Sequence, residues 1–417
     1  MTTIKPFRAI RPHEKFVDQV AALPYDVYSR QEAREFVKDR PYSFLNIDRP
    51  ETQFDPEHDM YAQDVYEKAR DMIVAQMDKG IYIQDPQDCF YIYEQTMNGR
   101  IQTGLAAVSS IDDYLNGICK KHENTVSAKE TDRIHHVSIT SCQTGPIFLT
   151  YRKDETIQAM IESQKERKPV YDFTSEDGVH QRVWVINDRQ CVKNMEDAFK
   201  KVPNTYIADG HHRCASAVRV GCQRRQQYPD HTGQEEFNYF LCILFPDTQL
   251  EIMDYNRFVS DLNGLSFDEY MNKLSEVCTI TPISQKQHPE HKKQVTMVTK
   301  EGWYKLDFNK ISVDETDVVA RLDVSRLQQQ VLGPILGIND PRTDPRISFI
   351  GGIRGLEELE KRVQESAQAS VAFAMVPTDI SELMDVADAG RLMPPKSTWF
   401  EPKLRSGLFI HPIEPEK

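Results

Sequence analysis

The order of hydrophobic and polar residues in the first half of the chain predicts strands and helices in alternation. The segments CFYIYEQT and GLAAVSSI alternate like paired strands on either side of Asn98-Gly99, a dipeptide typical of hairpin turns. Residues 59–80 carry apolar side chains at roughly helical spacing, and the apolar run FNYFLCILFP predicts a buried strand. A short strand, TYIAD, leads directly into an alanine-rich helix. These elements predict an α/β fold.

The second half of the chain continues this alternation. Two strands are predicted around Glu301-Gly302, followed by a helix near residues 316–332. The strand RISFIG, a helix, the strand SVAFAMVP, another helix and a closing strand SGLFIHPI follow in that order. We therefore expect mixed α+β sheets in two domains, one over residues 1–258 and a C-terminal α/β domain over residues 259–417.

The segment LPYDV places one carboxylate close to a helix start. Ser29 and Glu32 have the spacing of a capping box, in which the serine hydroxyl accepts from an amide of the first turn and the glutamate reaches back. Asp26 therefore lies just before the predicted helix and is a candidate for ligand binding there.

Composition and charge narrow the class of partner. The chain has 417 residues, with 51 basic and 64 acidic side chains and a net charge of −13. This negative charge disfavours nucleic acids and anionic membranes as partners and favours small molecules. The sequence has no apolar run of about 20 residues and no apolar signal-peptide core at its N-terminus, so we expect a cytoplasmic protein. The pattern gives no indication of oligomeric state.

The densest group of ionisable residues is Asp209-Gly210-His211-His212-Arg213, where the predicted strand meets the helix. Glycine allows a tight turn there, and the first amides of the helix point outward with the positive end of the helix dipole behind them. Two imidazoles and a guanidinium at this position would bind a phosphate group. The aspartate would orient a histidine or hold Mg²⁺. The alternative is a plain helix start capped by Asp209, with both histidines on the surface.

A second polar group precedes and enters the predicted helix around residue 130. His122 and Glu123 come before the helix, as at the mouth of a site. Spacings of three and four place four residues near one helical face, namely Lys129, Asp132, Arg133 and His136. The other polar residues of this segment are Asn124, Thr125, His135, Thr140 and Gln143. A solvated helix held by salt bridges is the alternative interpretation.

The segment MPPKST at residues 393–398 is a third candidate. A lysine and two hydroxyls, held between two prolines and Trp399, form a stiff loop that could bind phosphate through Lys396, Ser397 and Thr398. The loop lacks the glycines of a P-loop, and an exposed proline-rich turn is the alternative.

Residues 207–217, with the DGHHR signature, resemble the phosphate-binding signature of the ParB/sulfiredoxin superfamily, and within it the free-serine kinases. Across the chain, eight separated segments resemble a bacterial family labelled domain of unknown function 1015. These segments are LPYDV (23–27), SFLNIDRPE (43–51), KHENT (121–125), DR (132–133), GPIFLTY (145–151), DGHHR (209–213), DYNR (254–257) and MPPKSTWFEPKLRSGL (393–408). The resemblance implies a ParB/sulfiredoxin-like catalytic core within about residues 100–225, to which the tail 393–408 returns.

The same resemblance implies an activity, because members similar to this family include pyrophosphate-dependent kinases that phosphorylate free L-serine. By that likeness Glu123, paired with His122, takes the proton from the acceptor hydroxyl, with Asp26 as the alternative base, and Asp209 lies close to the reacting groups. The residues expected to bind the donor phosphates are Gly210, His211, His212, Arg213, Lys396, Ser397 and Thr398. The residues expected to bind substrate are Asp26, Thr125, Arg133 and Gln143.

Phosphoryl transfer needs mainly positioning and charge neutralisation, so Mg²⁺ is the expected cofactor, with Asp209 as its ligand. The donor is left open between pyrophosphate, ADP and ATP. The partners expected are therefore a serine-like acceptor and a phosphate donor.

Three other functions fit parts of the pattern. A ParB-like nucleotide-dependent regulatory or DNA-binding protein is disfavoured by the net charge of −13. A sulfiredoxin-type reductase needs a cysteine inside the phosphate signature, whereas Cys214 follows the arginine and falls in the helix. A non-catalytic small-molecule sensor on the same fold is the third alternative.

Overall fold

The computed structural model describes residues 1–125 and 127–414, which form two compact units. The first unit contains Met1–Lys121, Thr125–Leu250 and the C-terminal segment from Pro402. The second unit contains His122–Asn124 and Glu251–Glu401. The boundary expected after residue 258 therefore falls inside a strand of the second unit, Tyr255–Val259. The predicted mixed α/β class is confirmed by the sheets and helices of both units.

A nine-stranded mixed sheet forms the centre of the first unit. Tyr239–Pro246 pairs in parallel with Ile147–Tyr151 and antiparallel with Arg100–Ser110. From one edge to the other the strands are Cys119–Lys120, Thr205–Asp209, Ile147–Tyr151, Tyr239–Pro246, Arg100–Ser110, Phe90–Met97, His180–Ile186 and Tyr171–Thr174, with Ile4–Lys5 also paired to Arg100–Ser110. Two small ladders add Ile10–Pro12 with Tyr82–Gln84, and Cys142–Gln143 with His411–Pro412.

The helices of the first unit bury their apolar faces in two main clusters, one on the nine-stranded sheet and one between the N-terminal helices and the ladder of Ile10–Pro12 with Tyr82–Gln84. The α-helices are Val17–Val20, Arg30–Val37, Leu45–Asp48, Gln63–Asp78, Ile111–Leu115, Ser127–Thr140, Glu155–Lys165, Arg189–Phe199 and His211–Gln227. Short 3₁₀ turns are Glu14–Phe16, Tyr25–Val27, Pro50–Gln53, Glu236–Asn238 and Asp247–Gln249. The long helix His211–Gln227 contributes Cys214, Ala217 and Val218 to the main core. Small side chains on this face let the helix pack closely on the strands.

Local sequence signals define two of these elements. The hairpin of Phe90–Met97 and Arg100–Ser110 turns at Asn98 and Gly99, whose φ angles are 52° and 81°. Both residues are therefore left-handed, as a tight hairpin turn requires. The capping box also forms, because Glu32 N donates to Ser29 Oγ and Ser29 N donates to Glu32 Oε2.

The second unit contains a six-stranded antiparallel sheet. Its strands in order are Thr279–Ile283, Gly302–Asp307, Gln294–Thr299, Val371–Ala374, Tyr255–Val259 and Ile347–Gly351, and Ile252–Met253 pairs separately with Trp399–Phe400. Its helices are Phe267–Val277, Asp323–Leu327, the π-helical turn Gln328–Leu332, the 3₁₀ turn Gly352–Arg354, Gly355–Glu365 and Ile380–Asp388. Leu356, Leu359 and Val363 of one helix pack on the sheet residues Val298 and Ala372.

Two predicted elements are shorter in the structure than in the sequence pattern. The helix expected over 316–332 begins only at Asp323. The expected closing strand is reduced to His411–Pro412, although Leu408, Phe409 and Ile410 are fully buried. Their apolar pattern reflects burial in the first unit rather than a strand ladder. In the part of the chain that the structure describes, no helix combines the length and the apolar character needed to cross a membrane.

Candidate active site

The DGHHR segment forms a strand, a tight turn and a helix in the first unit. Thr205–Asp209 is a strand, Gly210 adopts a left-handed conformation with φ 94°, and the helix begins at His211. A Cβ atom at position 210 would lie 3.0 Å from two guanidinium nitrogens of Arg213. The left-handed backbone angle therefore favours glycine, and any other side chain would also displace the guanidinium of Arg213. Glycine provides no capping side chain, and the positive end of a 17-residue helix suits an anion here.

Arg213 is held close to the strand beside the turn. Its side chain is 10% exposed, and Nη1 donates a 2.7 Å hydrogen bond to the carbonyl oxygen of Pro146. A Cβ atom at Gly145 would lie 3.2 Å from Cδ of Arg213. The segments GPIFLTY and DGHHR therefore meet at this side chain, which is fixed rather than extended into solvent.

Asp209 lies between two cations. Its Oδ2 is 3.4 Å from Nζ of Lys403 and 3.8 Å from Nη2 of Arg213, and its Oδ1 accepts from the amide of Gly210 at 2.9 Å. Burial alone would raise the pKa of Asp209, but the charges of Lys403 and Arg213 outweigh it, so the pKa lies well below its ordinary value. The carboxylate is ionised, which excludes a role as proton donor at neutral pH.

The surroundings of Asp209 do not fit a Mg²⁺ ligand. A divalent cation on Oδ2 would stand beside the ammonium of Lys403 and the guanidinium of Arg213, which already neutralise this carboxylate. Mg²⁺ also needs several oxygen ligands in octahedral geometry. We therefore assign no catalytic step to an ion held by Asp209.

A small cavity of about 30 Å³ lies in the first unit next to Arg213. Five of the eight segments that carry the resemblance contribute to its wall, through Tyr25, Asp48, Arg133, Gly145 and Arg213. Segments far apart in the sequence thus meet at the start of one helix. Its other lining residues include His136, Gln143, Thr144 and Ser216.

Arg133 is the central cation of this cavity. Its guanidinium stacks on the ring of Tyr25, 4.2 Å from the ring centroid, and its Nη2 is 2.9 Å from Oδ2 of Asp132. The hydroxyl of Tyr66 donates to the other oxygen of Asp132. Burial raises the pKa of Tyr25 to about 12. Because Arg133 is buried, the alternative of a purely solvated helix does not hold for this face.

His136 and Asp48 complete the buried polar group. His136 is 1% exposed, and its Nε2 lies 2.9 Å from the carbonyl oxygen of Ile47. Burial, with the nearby charge of Arg133, lowers the pKa of His136 to about 4, so the imidazole is neutral near pH 7. The hydroxyl of Thr144 donates to Oδ1 of buried Asp48. These contacts join the short helix Leu45–Asp48 to the cavity.

Three other predicted substrate-binding residues differ in their surroundings. Gln143 lines the cavity, but its amide joins the backbone of Tyr239 and Leu241. Thr125 donates its hydroxyl hydrogen bond to Glu130 at the adjacent helix. Asp26 is exposed on the turn Tyr25–Val27. Of the predicted substrate-binding residues, Arg133 and Gln143 are therefore the two that line the cavity.

The second unit brings two other predicted groups together. Nε2 of His122 lies 3.4 Å from Oγ1 of Thr398, and the amide of Met393 donates to the carbonyl oxygen of His122. Glu123, next in the chain, is half-buried. His122–Asn124 and the segment MPPKST, predicted separately, are therefore neighbours within this unit.

The loop 393–398 of the second unit has its own internal structure. Lys396 is exposed and left-handed, with φ 59°. The hydroxyl of Ser397 donates to the carbonyl oxygen of Pro394 at 2.6 Å, so its proton closes the loop. The carbonyl oxygen of Lys396 accepts from Nη2 of Arg257. The segments DYNR and MPPKST thus also meet within the second unit.

The sequence patterns did not identify four residues that line the cavity, lie beside Asp209 or bind the loop 393–398. They are Tyr25, Asp48, Arg257 and Lys403. Each lies in a segment that carries the family resemblance, which was the available signal. None of the four lies in a dense cluster of charged residues. Each instead contacts a residue that is distant in the sequence.

The chain belongs to the DUF1015 family, described as a protein of unknown function, whose sequence model matches residues 4–325. A search of curated proteins found no match.

Solved structures give distant similarities. A C-terminally truncated SbnI from Staphylococcus aureus has 12% identity and a TM-score of 0.40, covering 73% of this chain and 87% of its own. A free serine kinase variant in complex with AMP has 10% identity and a TM-score of 0.38, covering 75% and 92%. A conserved hypothetical protein from Pyrococcus furiosus has 12% identity and a TM-score of 0.35, covering 74% and 95%.

Proposed function

We propose that this protein is a phosphotransferase that phosphorylates the hydroxyl of free L-serine, or of a similar small hydroxy compound, with pyrophosphate or a nucleotide as donor. The observation that carries the proposal is the start of the helix His211–Gln227, where a left-handed glycine, a helix dipole and a fixed guanidinium coincide. Phosphoryl transfer relies on such prearranged positive charge more than on strong bases.

The donor phosphates are proposed to bind at this helix start in the first unit. Arg213 is held by Pro146, so little rotational freedom is lost when it binds a phosphate oxygen. Lys403 brings a second positive charge within 3.4 Å of Asp209. Gly210, His211 and His212 provide the first turn of the helix, as the resemblance implies.

In this proposal Asp209 keeps the two cations in place before the donor arrives. A phosphate group with a higher charge competes with the carboxylate for Lys403 and Arg213. Mg²⁺ is then a companion of the donor, bound by phosphate oxygens and water as part of the substrate, rather than an ion held by Asp209.

The acceptor base is proposed to be Glu123, which rests on the family resemblance. Asp26 is the second candidate and is exposed in the first unit. Arg133 and Gln143 are proposed acceptor-side residues because they line the cavity beside Arg213. His122 remains a proposed catalytic residue paired with Glu123, and Thr125 remains a proposed substrate-binding residue. The proposed phosphate-binding residues of the loop are still Lys396, Ser397 and Thr398.

An activity screen followed by phosphorus NMR tests the proposal. L-serine, L-threonine and small hydroxy acids are each incubated with pyrophosphate, ADP or ATP in the presence of Mg²⁺. We expect one donor and acceptor pair to give a phosphomonoester signal that Arg213→Ala abolishes. Donor hydrolysis without ester formation for every acceptor, or activity that Arg213→Ala leaves unchanged, would overturn the proposal.

A further inference from the structure

Arg257 is a buried cation of the second unit that has no acidic partner among the described residues. It lies on the strand Tyr255–Val259 and is 3% exposed. Its two hydrogen bonds both go to backbone carbonyl oxygens, from Nη1 to Tyr255 and from Nη2 to Lys396. The ring of Phe349 covers one side of the guanidinium, 5.5 Å away. Neutral carbonyl groups solvate this charge without neutralising it.

A buried charge without a counter-charge is costly, and proteins normally pair such a group with an acid or a ligand. Burial lowers the pKa of Arg257 to about 10, yet the side chain still carries its charge near pH 7. The described residues provide no acidic group within ion-pair distance of Arg257, so an anionic ligand bound nearby would provide the negative charge that its surroundings lack.

The loop bound to Arg257 carries other nitrogen and hydroxyl groups. Lys396 is exposed, and its Nζ lies 6.0 Å from the ring centroid of Tyr255. The hydroxyl of Thr398 lies beside the imidazole of His122. The left-handed backbone of Lys396 turns its carbonyl towards Arg257, which places the buried charge directly beneath this loop.

We propose that the second unit binds a phosphate-type oxyanion at the loop 393–398, with Arg257 as the buried positive charge that favours it. This inference rests on the proposed function, in which the loop already binds phosphate, and it adds Arg257 as the buried charge that acts on the loop from below. The two Nη atoms of Arg257 both donate to backbone carbonyl groups, so the guanidinium cannot form a bidentate pair with a planar carboxylate. It acts as a point charge, which favours the more highly charged phosphate dianion or pyrophosphate.

Calorimetric titration with inorganic phosphate, in buffers matched with chloride, tests this site on the full chain. Arg257→Met removes the charge and keeps the length of the side chain, whereas Arg257→Lys keeps the charge. We expect Arg257→Met to weaken phosphate binding at least about tenfold and Arg257→Lys to stay within about threefold, because the charge is what matters. Arg213→Ala separates this site from the helix start in the first unit, since it should leave binding at the loop intact. Sodium acetate at the same concentration should bind more weakly than phosphate.

Thermal unfolding distinguishes an anion-binding role of Arg257 from a purely structural role in holding the loop. If Arg257 only ties the loop, Arg257→Met lowers the melting temperature in phosphate-free buffer and leaves the stabilisation by phosphate unchanged, which overturns the proposal. If Arg257 favours a bound anion, the variant gains less stabilisation from phosphate than the wild type does, whatever its melting temperature in phosphate-free buffer. Should Arg257→Met fail to fold, the exposed variant Lys396→Ala decides the matter, because unchanged phosphate affinity there also overturns the site. Acetate binding as tightly as phosphate would do so too.

Discussion

Nζ of Lys403 lies 3.4 Å from Oδ2 of Asp209, although 194 residues separate the two in the chain. The carbonyl oxygen of Lys403 accepts from Nε2 of Gln95, which ties the backbone of the tail to the central sheet. The C-terminal segment of the first unit therefore contributes a fixed charge to the start of the helix His211–Gln227. The electrostatic state of the DGHHR segment depends on this distant lysine.

Lys403→Met should raise the pKa of Asp209 towards its ordinary value, because the largest opposing charge is removed. A depressed pKa keeps the carboxylate ionised into acid, so the variant should lose activity at a higher pH than the wild type does as pH falls. We also expect the KM for the donor to rise about tenfold. Lys403→Arg is the control that retains the charge. Identical acid limbs in the pH profiles of kcat/KM would contradict this role.

Arg213→Ala and Asp209→Asn should each lower turnover at least about a hundredfold while circular dichroism shows a folded protein. Both side chains lie at a helix start rather than in the apolar core. Arg219→Ala on the exposed side of the same helix is a matched control and should retain normal turnover. Near-normal turnover in either site variant would remove the phosphate-binding role from this segment.

Glu123→Gln should abolish transfer to the acceptor while leaving the affinity for the donor unchanged, because a general base acts on the acceptor hydroxyl. Asp26→Asn is the companion variant, since Asp26 is the second candidate. The measurements are turnover and donor binding by calorimetry for both proteins. Loss of turnover in Asp26→Asn alone would move the proposed base to Asp26.

Arg133→Met should destabilise the protein by about 3 kcal/mol, because it leaves Asp132 largely buried without its cation. Adding Asp132→Asn in the same chain should restore part of that loss, since the amide carries no charge. Urea unfolding of the two single variants and the double variant gives the coupling. Strictly additive effects would show that the ion pair contributes nothing.

The buried His136 should make the protein less stable in mild acid. Its pKa is lowered to about 4 in the folded chain, below the ordinary value of about 6.5, so the unfolded chain binds a proton first as pH falls. Stability is then lost between about pH 6.5 and 4, and the free energy of unfolding should be about 2 kcal/mol lower at pH 5 than at pH 7. Urea unfolding at both pH values measures this difference. The free energy of unfolding of His136→Gln should change less between the two pH values than that of the wild type. An equal change would exclude His136 as the cause.

Local signals in the sequence predicted the elements that depend on neighbouring residues. Asn98-Gly99 indicated the hairpin because both positions need left-handed backbone, and Gly210 indicated the tight turn for the same reason. The DGHHR residues were recognised as a candidate site because their charges are adjacent in the chain.

Local sequence signals of this kind do not predict contacts between residues that are distant in the chain. Neither periodicity nor composition shows that Lys403 faces Asp209 or that Arg257 binds the carbonyl of Lys396. Ser397 was predicted to bind phosphate, but its hydroxyl donates to the carbonyl oxygen of Pro394. That hydrogen bond depends on the three-dimensional shape of the turn, which the sequence does not show. The family resemblance marked the segments in which these residues lie, and the structure was needed to show which residue of each segment makes the contact.

The first unit is built from segments that are far apart in the chain, so the order of synthesis on the ribosome limits when it can fold. Its last segment starts at Pro402, and the buried residues Leu408, Phe409 and Ile410 belong to it. Proteins grow from the N-terminus, so this unit cannot complete its core before residues 408–410 have been synthesised. Lys403 can reach Asp209 only at that stage, so a chain that stops before residue 403 carries the DGHHR segment without the lysine that balances its aspartate.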